Sequence, residues 1–330
     1  MRLKTRYLLR MGVLLMAIFF NGVSAKEFQS DGFSIQNLEV TNPDWQPRKL
    51  RYSEYLPDEL DQRDPAPLII NLHGGGGSEE DLKGFIDTIS EVTKNGAIPP
   101  AVWSMPGAGR SFYMDYQDKS AHWESIIIDE YLPHLLSTHN IDSDRIYIMG
   151  ISMGGMGGLR LAFKYPEKFA GVAVLEPAIE ASLHWKDVSA LDSFYRADQY
   201  EEKFGNPVDA DYWAENHPSA IAAANPDRLK NLAIYFEVGD QDMLNLHRGA
   251  EYLHRILFDS GVFHEFRLVR GADHIGDKFM DLRYRDALGF INRDINPIED
   301  KLDQNLLPLI EQTKAMASKL GPAVPLPRHR

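Results

Sequence analysis

Residues 146–160 read Ile-Tyr-Ile-Met-Gly-Ile-Ser-Met-Gly-Gly-Met-Gly-Gly-Leu-Arg, a buried-strand pattern that runs through Gly150-x-Ser152-x-Gly154 into a helix. A strand, a very tight turn and a helix with serine at the turn form a nucleophile elbow. Only glycine, lacking a Cβ, fits two positions either side of the serine, whose own backbone is held in a strained conformation. The helix beyond the turn leaves its first N–H groups without intrahelical partners and carries partial positive charge there. Ser152 is therefore expected at the tip of the turn, beside donors suited to a developing oxyanion.

A serine hydroxyl is a poor nucleophile unless a base accepts its proton, and the base works best when a third group fixes its tautomer. In a fold built on this elbow the chain order is serine, acid, histidine, with the last two on loops after later strands. The apolar stretch Leu232–Val238 empties into Gly239-Asp240-Gln241-Asp242, and His264–Val269 empties into Gly271-Ala-Asp-His274. Of the eleven histidines, His274 alone follows a strand in a glycine-bounded loop downstream of a suitable acid. His247 and His254 fall in a helical stretch and His264 opens a strand. Asp242 completes a Gly-x-x-Asp turn and is preferred as the acid. Asp240 follows the glycine directly, where it would more naturally cap the turn, and is kept as the alternative. For the oxyanion, one donor is the N–H of Met153. The other is expected from His73-Gly74-Gly75-Gly76-Gly77, with Gly75 preferred.

Around these loops the chain alternates strand-like and helix-like segments, which predicts an α/β fold with a mostly parallel central sheet flanked by helices. Phe33–Val40 and Lys49–Leu56 read as a leading antiparallel pair, and Pro67–Leu72 is a continuous apolar run as expected of a central parallel strand. Helices are predicted near 79–93, 121–138, 154–164, 246–259 and 276–292, and strands at 101–105, 145–149, 169–175, 232–238 and 264–269. The rhythm breaks between about 177 and 228, a stretch with no clear strand and with Trp185, Phe194, Tyr195, Tyr200, Phe204, Tyr212 and Trp213. It reads as an insertion, or cap, between the nucleophile and acid strands, over the strand C-terminal ends where such sheets bind ligands. Its rings either meet substrate or pack the insertion's own small core.

Three parts are expected: a signal peptide at 1–25, a catalytic domain at 26–296 and a C-terminal helix with a loose tail at 297–330. The first 25 residues carry Arg2, Lys4, Arg6 and Arg10, then the apolar run Met11–Phe20 and a small-residue cleavage-like site ending at Ala25. Export to the periplasm or the medium follows. Removing four basic and no acidic residues takes the formal net charge from −13 to −17. Such a surface repels nucleic acid and anionic lipid, and no later segment is apolar enough to span a bilayer. The chain has no cysteine, so neither disulfides nor thiolate metal sites are available. No lysine precedes Ser78 as a phosphate-cradling loop requires, and Arg160 stands where a dinucleotide loop starting at Gly155 would need its third glycine. No clustered histidine and carboxylate ligands for metal hydrolysis are evident, and no cofactor is expected.

With these residues in place the chain resembles the esterase D group of α/β-hydrolases, which includes feruloyl and acetylxylan esterases, S-formylglutathione hydrolases, trilactone siderophore esterases and mycolyltransferases. The resemblance covers roughly residues 48–293. Its most specific parts are Trp123-Glu124 through Glu130-Tyr-Leu-Pro133, Asp144 through Gly155, and Tyr165-Pro-Glu-Lys-Phe169. Ser111-Phe-Tyr-Met-Asp115 is similar to an aromatic loop that the family places beside its site. The resemblance implies Ser152, Asp242 and His274 as nucleophile, acid and base, with Gly75 and Met153 as oxyanion donors. The formylglutathione branch usually has a cysteine-bearing loop where this chain has glycines, so the likeness is closer to exported feruloyl and polyester-degrading esterases. An exported serine carboxylic-ester hydrolase is expected, acting through an acyl-enzyme on a small-molecule or saccharide ester and losing activity below about pH 6. An acyltransferase using an alcohol acceptor, and a non-catalytic binding protein on the same scaffold, are the alternatives. Oligomeric state is left open.

Overall fold

The computed structural model describes residues 32–61, 63–194, 199–274, 276–297 and 307–319. Eight strands form one sheet: β1 (Phe33–Glu39), β2 (Lys49–Tyr55), β3 (Ala66–Leu72), β4 (Val102–Pro106), β5 (Ile141–Ile151), β6 (Gly171–Leu175), β7 (Ala233–Gly239) and β8 (Glu265–Val269). Their order is β1-β2-β4-β3-β5-β6-β7-β8. β1 and β2 pair antiparallel, β2 meets β4 antiparallel, and every later pairing is parallel. Every residue of β3, β4 and β6 is buried, as parallel strands covered on both faces must be. At the edge, β8 is only half-buried.

Helices cover both faces. α1 (Ile86–Lys94), α2 (Leu132–Thr138), α3 (Met153–Lys164), α4 (Ala190–Ser193), α5 (Tyr200–Phe204), α6 (Ala210–Asn216), α7 (Pro218–Ala224), α8 (Leu246–Asp259), α9 (Asp277–Ile295) and α10 (Leu307–Lys319) follow in chain order. The alternation within β3 splits its side chains between two cores. Leu68, Ile70 and Leu72 pack with α2, α3 and α8, while Ile69 packs with α1 and α9. The helix expected near 79–93 begins as a 3-10 turn at Glu79–Phe85, and the one expected at 121–138 passes through a π turn at Ile126–Tyr131.

The insertion has no strand among its described residues. Within it, Asn245 donates to the Leu191 carbonyl and Arg248 to the Asp192 carboxylate, which ties α4 to the loop after β7 and to the first turn of α8. Further on, α7 packs against both α3 and α8. Tyr200, Phe204 and Trp213 are fully buried and meet one another and Trp185 in tilted and edge-on contacts, and Trp213 stacks over His217 with ring centroids 4.6 Å apart. These rings join the same apolar core that packs β3 against α3 and α8. Phe194 is exposed, and Tyr195 lies outside the described residues, as do the leader at 1–25 and the tail beyond 319. No helix among the described residues is long and apolar enough to cross a membrane.

Candidate active site

β5 runs straight into the turn at Ser152, and α3 begins at the next residue. Ser152 takes φ 57° and ψ −112°, a costly conformation for a residue with a Cβ. Three main-chain bonds hold it there: Ser152 N–H donates to Leu175 O at 3.0 Å, and Ser152 O accepts from Met156 at 3.0 Å and Ala178 at 2.9 Å. The flanking glycines are steric necessities. A Cβ on Gly150 would stand 2.3 Å from Gly154 O, and one on Gly154 would stand 2.0 Å from Leu72 O.

The structure brings Ser152, His274 and Asp242 together. Ser152 Oγ lies 3.0 Å from His274 Nε2, and His274 Nδ1 lies 3.0 Å from Asp242 Oδ2. Asp242 is 3% exposed, and its other oxygen accepts from the N–H groups of Leu244, in the loop before α8, and Leu246, the first residue of α8. A carboxylate can only accept, so Nδ1 is assigned the proton and Nε2 is left as the acceptor for the serine hydroxyl. Burial opposes charge on His274, but Glu176 and the bond to Asp242 outweigh it and raise the imidazole above its ordinary value of 6.5.

Asp240, the alternative acid, does a different job: its Oδ1 accepts from Gly271 N–H at 2.7 Å, tying the acid loop to the histidine loop. Asp273 ties them again, accepting from Met243 N–H at 2.8 Å and from His274 N–H at 2.7 Å.

The glycine loop after β3 flanks the elbow. A Cβ on Gly74 would stand 3.9 Å from Ser152 Cβ, and one on Gly75 would stand 3.7 Å from Met153 Cβ, so both peptides line the ground beside the serine. His73 is buried and holds this loop. Its Nε2 accepts from Ala108 N–H at 3.0 Å, which leaves Nδ1 to donate to Gly74 O at 2.8 Å. Burial keeps its pKa low, consistent with a neutral ring. Tyr113 adds a third tie, donating to His73 O at 3.1 Å. The aromatic loop expected beside the site is therefore largely internal: Phe112 and Tyr113 are buried, and the Tyr113 ring packs where a Cβ on Gly157 of α3 would reach it at 2.6 Å.

Two buried charged residues at the site, Glu176 and Arg283, carry no sequence motif. Glu176 follows the last residue of β6, at φ 42°, its Oε1 3.9 Å from His274 Nδ1 and its Oε2 2.8 Å from Arg283 Nη2. The one hint was a glutamate closing an apolar strand; no spacing links 176 to 283. Glu176, Asp242 and His274 are also the donors that could approach a metal ion among the described residues. Arg283 already supplies a cation to Glu176, and Nδ1 is committed to Asp242, so the cluster suits a proton chain.

Comparison with known proteins agrees with this architecture. A family model described as "Putative esterase" matches residues 46–257. Feruloyl esterase B of Thermothelomyces thermophilus is 31% identical over 140 residues, covering 41% of this chain and 47% of that protein. An esterase of Mycobacterium tuberculosis is 27% identical over 281 residues, covering 74% of this chain and 59% of that protein. The matches thus span about half the length of these curated relatives. Among solved structures, a ferulic acid esterase superposes with a TM-score of 0.63 at 19% identity, covering 79% of this chain and 98% of that one. The fold is the α/β-hydrolase fold, with the insertion between the strand that ends at Ser152 and the strand that ends before Asp242.

Proposed function

The chain belongs to this esterase family, and from that premise we propose that it is an exported serine carboxylic-ester hydrolase that works through an acyl-enzyme. The observation that carries the reading is the unbroken chain from the Ser152 hydroxyl through His274 to Asp242, at 3.0 Å for each link. Ser152 Oγ attacks the ester carbonyl while His274 Nε2 takes the hydroxyl proton, and Asp242 holds the resulting imidazolium in place. The oxyanion is met by the N–H of Met153, at the free N-terminus of α3, and by that of Gly75. His274 returns its proton to the departing alcohol. It then takes one from water, whose oxygen attacks the acyl carbon; the acid leaves and Ser152 regains its proton.

The substrate is an ester of an aromatic or carbohydrate-linked acid or alcohol, a reading supported by the feruloyl esterase likeness. The catalytic unit is residues 26–296, and the leader-like pattern of residues 1–25 supports a periplasmic or secreted location. The test is a panel of p-nitrophenyl esters of rising acyl length run beside methyl ferulate and acetylated xylan. Turnover of some of these by the wild type, lost in Ser152→Ala, is expected. No ester turnover, or turnover that survives the substitution, would contradict the reading.

A further inference from the structure

Glu176 stands at the end of β6 with its backbone turned into the left-handed region, φ 42°, and its N–H donating to Glu237 O at 2.7 Å. That turn delivers a buried carboxylate to the imidazole nitrogen that Asp242 also faces, 3.9 Å away against 3.0 Å. Arg283 backs it. The guanidinium lies 2.8 Å from Glu176 Oε2, its Nε donates to both oxygens of Glu237 at 2.8 and 2.9 Å, and its Nη1 donates to Asp273 O in the loop that carries His274.

The charges facing His274 can be summed from every side. Asp242 comes from the loop after β7, Glu176 from the end of β6, Glu237 from within β7 behind Arg283, and Arg283 from α9; the Asp273 carboxylate is turned onto main-chain N–H groups. With a neutral imidazole and Asp242, Glu176 and Glu237 all ionised, three buried carboxylates stand against one guanidinium. A proton on His274 reduces that imbalance, and it is the proton that attack by Ser152 delivers. Burial pushes the Glu176 carboxyl up to about 7 against the pull of His274 and Arg283. The two groups therefore titrate as a coupled pair.

We propose that Glu176 is a second carboxylate for the His274 imidazole, a positioning residue that with Arg283 stabilises the imidazolium formed when Ser152 loses its proton. This rests on Ser152 and His274 being nucleophile and base. A Glu176 that served only to hold Arg283, and so β6 to α9, would affect folding stability and leave the imidazole titration where it is.

The experiment is a nitrogen-15 NMR titration of His274 in Ser152→Ala protein, with and without Glu176→Gln and Glu176→Asp. Glu176→Gln is expected to lower the His274 pKa by at least about one unit, and Glu176→Asp, which keeps the charge, to recover part of the shift. In the Ser152-containing enzyme the acid limb of kcat/KM moves to lower pH by the same amount. An unmoved titration in folded Glu176→Gln protein overturns the proposal. Should that variant fail to fold, Asp242→Asn decides: an imidazole still titrating above 6.5 supports Glu176 as the remaining anion, and one at or below 6.5 refutes it. The titration needs no turnover. Its failure is thus distinct from failure of the esterase reading, which would appear as no ester hydrolysis by the wild type.

Discussion

Gly154→Ala tests whether the elbow's geometry is what positions the chemistry. The new methyl carbon would meet three backbone atoms, Leu72 O at 2.0 Å, Leu72 C at 2.5 Å and His73 O at 2.7 Å. An ordinary carbon–oxygen contact is about 3.4 Å, so the groups must part by roughly 1.4 Å. β3 cannot give, because it is paired on both sides and buried throughout. The N-terminus of α3 must therefore lift away from the His73–Gly75 loop, separating the N–H of Met153 from that of Gly75. Overpacking of this kind costs about 1–3 kcal/mol, and a displacement of about 1 Å at the chemistry costs about a hundredfold in rate. Gly75→Ala is the matched control. Its Cβ meets only Met153 Cβ, at 3.7 Å, and its N–H is retained. Thermal melts and kcat on a p-nitrophenyl ester should show Gly154→Ala losing several degrees and at least about a hundredfold, and Gly75→Ala losing less than about tenfold. Near-wild-type kcat in Gly154→Ala, or a hundredfold loss in well-folded Gly75→Ala, would refute the reasoning.

Asp242→Asn should lower kcat by up to about 10⁴-fold, whereas Asp240→Asn, which loosens a loop tie, should cost less than about tenfold; steady-state kinetics on both separates acid from tether. Arg160 is fully buried and donates to Glu124, to Asn216 and to Tyr113 O. Although burial favours its neutral form, Glu124 is held ionised down to about 2 by Arg160 and Lys164. Arg160→Met should therefore destabilise the protein by about 3–5 kcal/mol in a denaturant melt, and adding Glu124→Leu should recover part of it. The base must be neutral to act, and the His274 pKa is raised above 6.5. Activity should thus decline as pH falls through a value above 6.5, read from the acid limb of kcat/KM; a limb at or below pH 6 would show that the carboxylates do not act on this imidazole.

What could be read from the chain depended on how local each signal is. β3 and β6 announce themselves as apolar runs because both of their faces are covered. The amphipathic period of 246–259 gave α8 with its bounds unchanged, since one helix face is in the core and the other in water. Ser152 could be placed because an elbow needs glycines at fixed offsets, and the choice of Asp242 as the residue facing His274 needed only the turn position after β7. Glu176 and Arg283 could not be paired in advance, because their contact depends on how β6 and α9 meet across the sheet. The burial of Tyr113 depends on a close approach to Gly157 that no single segment encodes.

The central claim is that the hydroxyl of Ser152 is an activated nucleophile. Wild-type protein should take up one equivalent of a fluorophosphonate, located at Ser152 by peptide mass spectrometry. Ser152→Ala should take up none and lose about six orders of magnitude in kcat with an unchanged melting curve. A wild-type protein that stays unlabelled, or one labelled at another residue, would contradict the account.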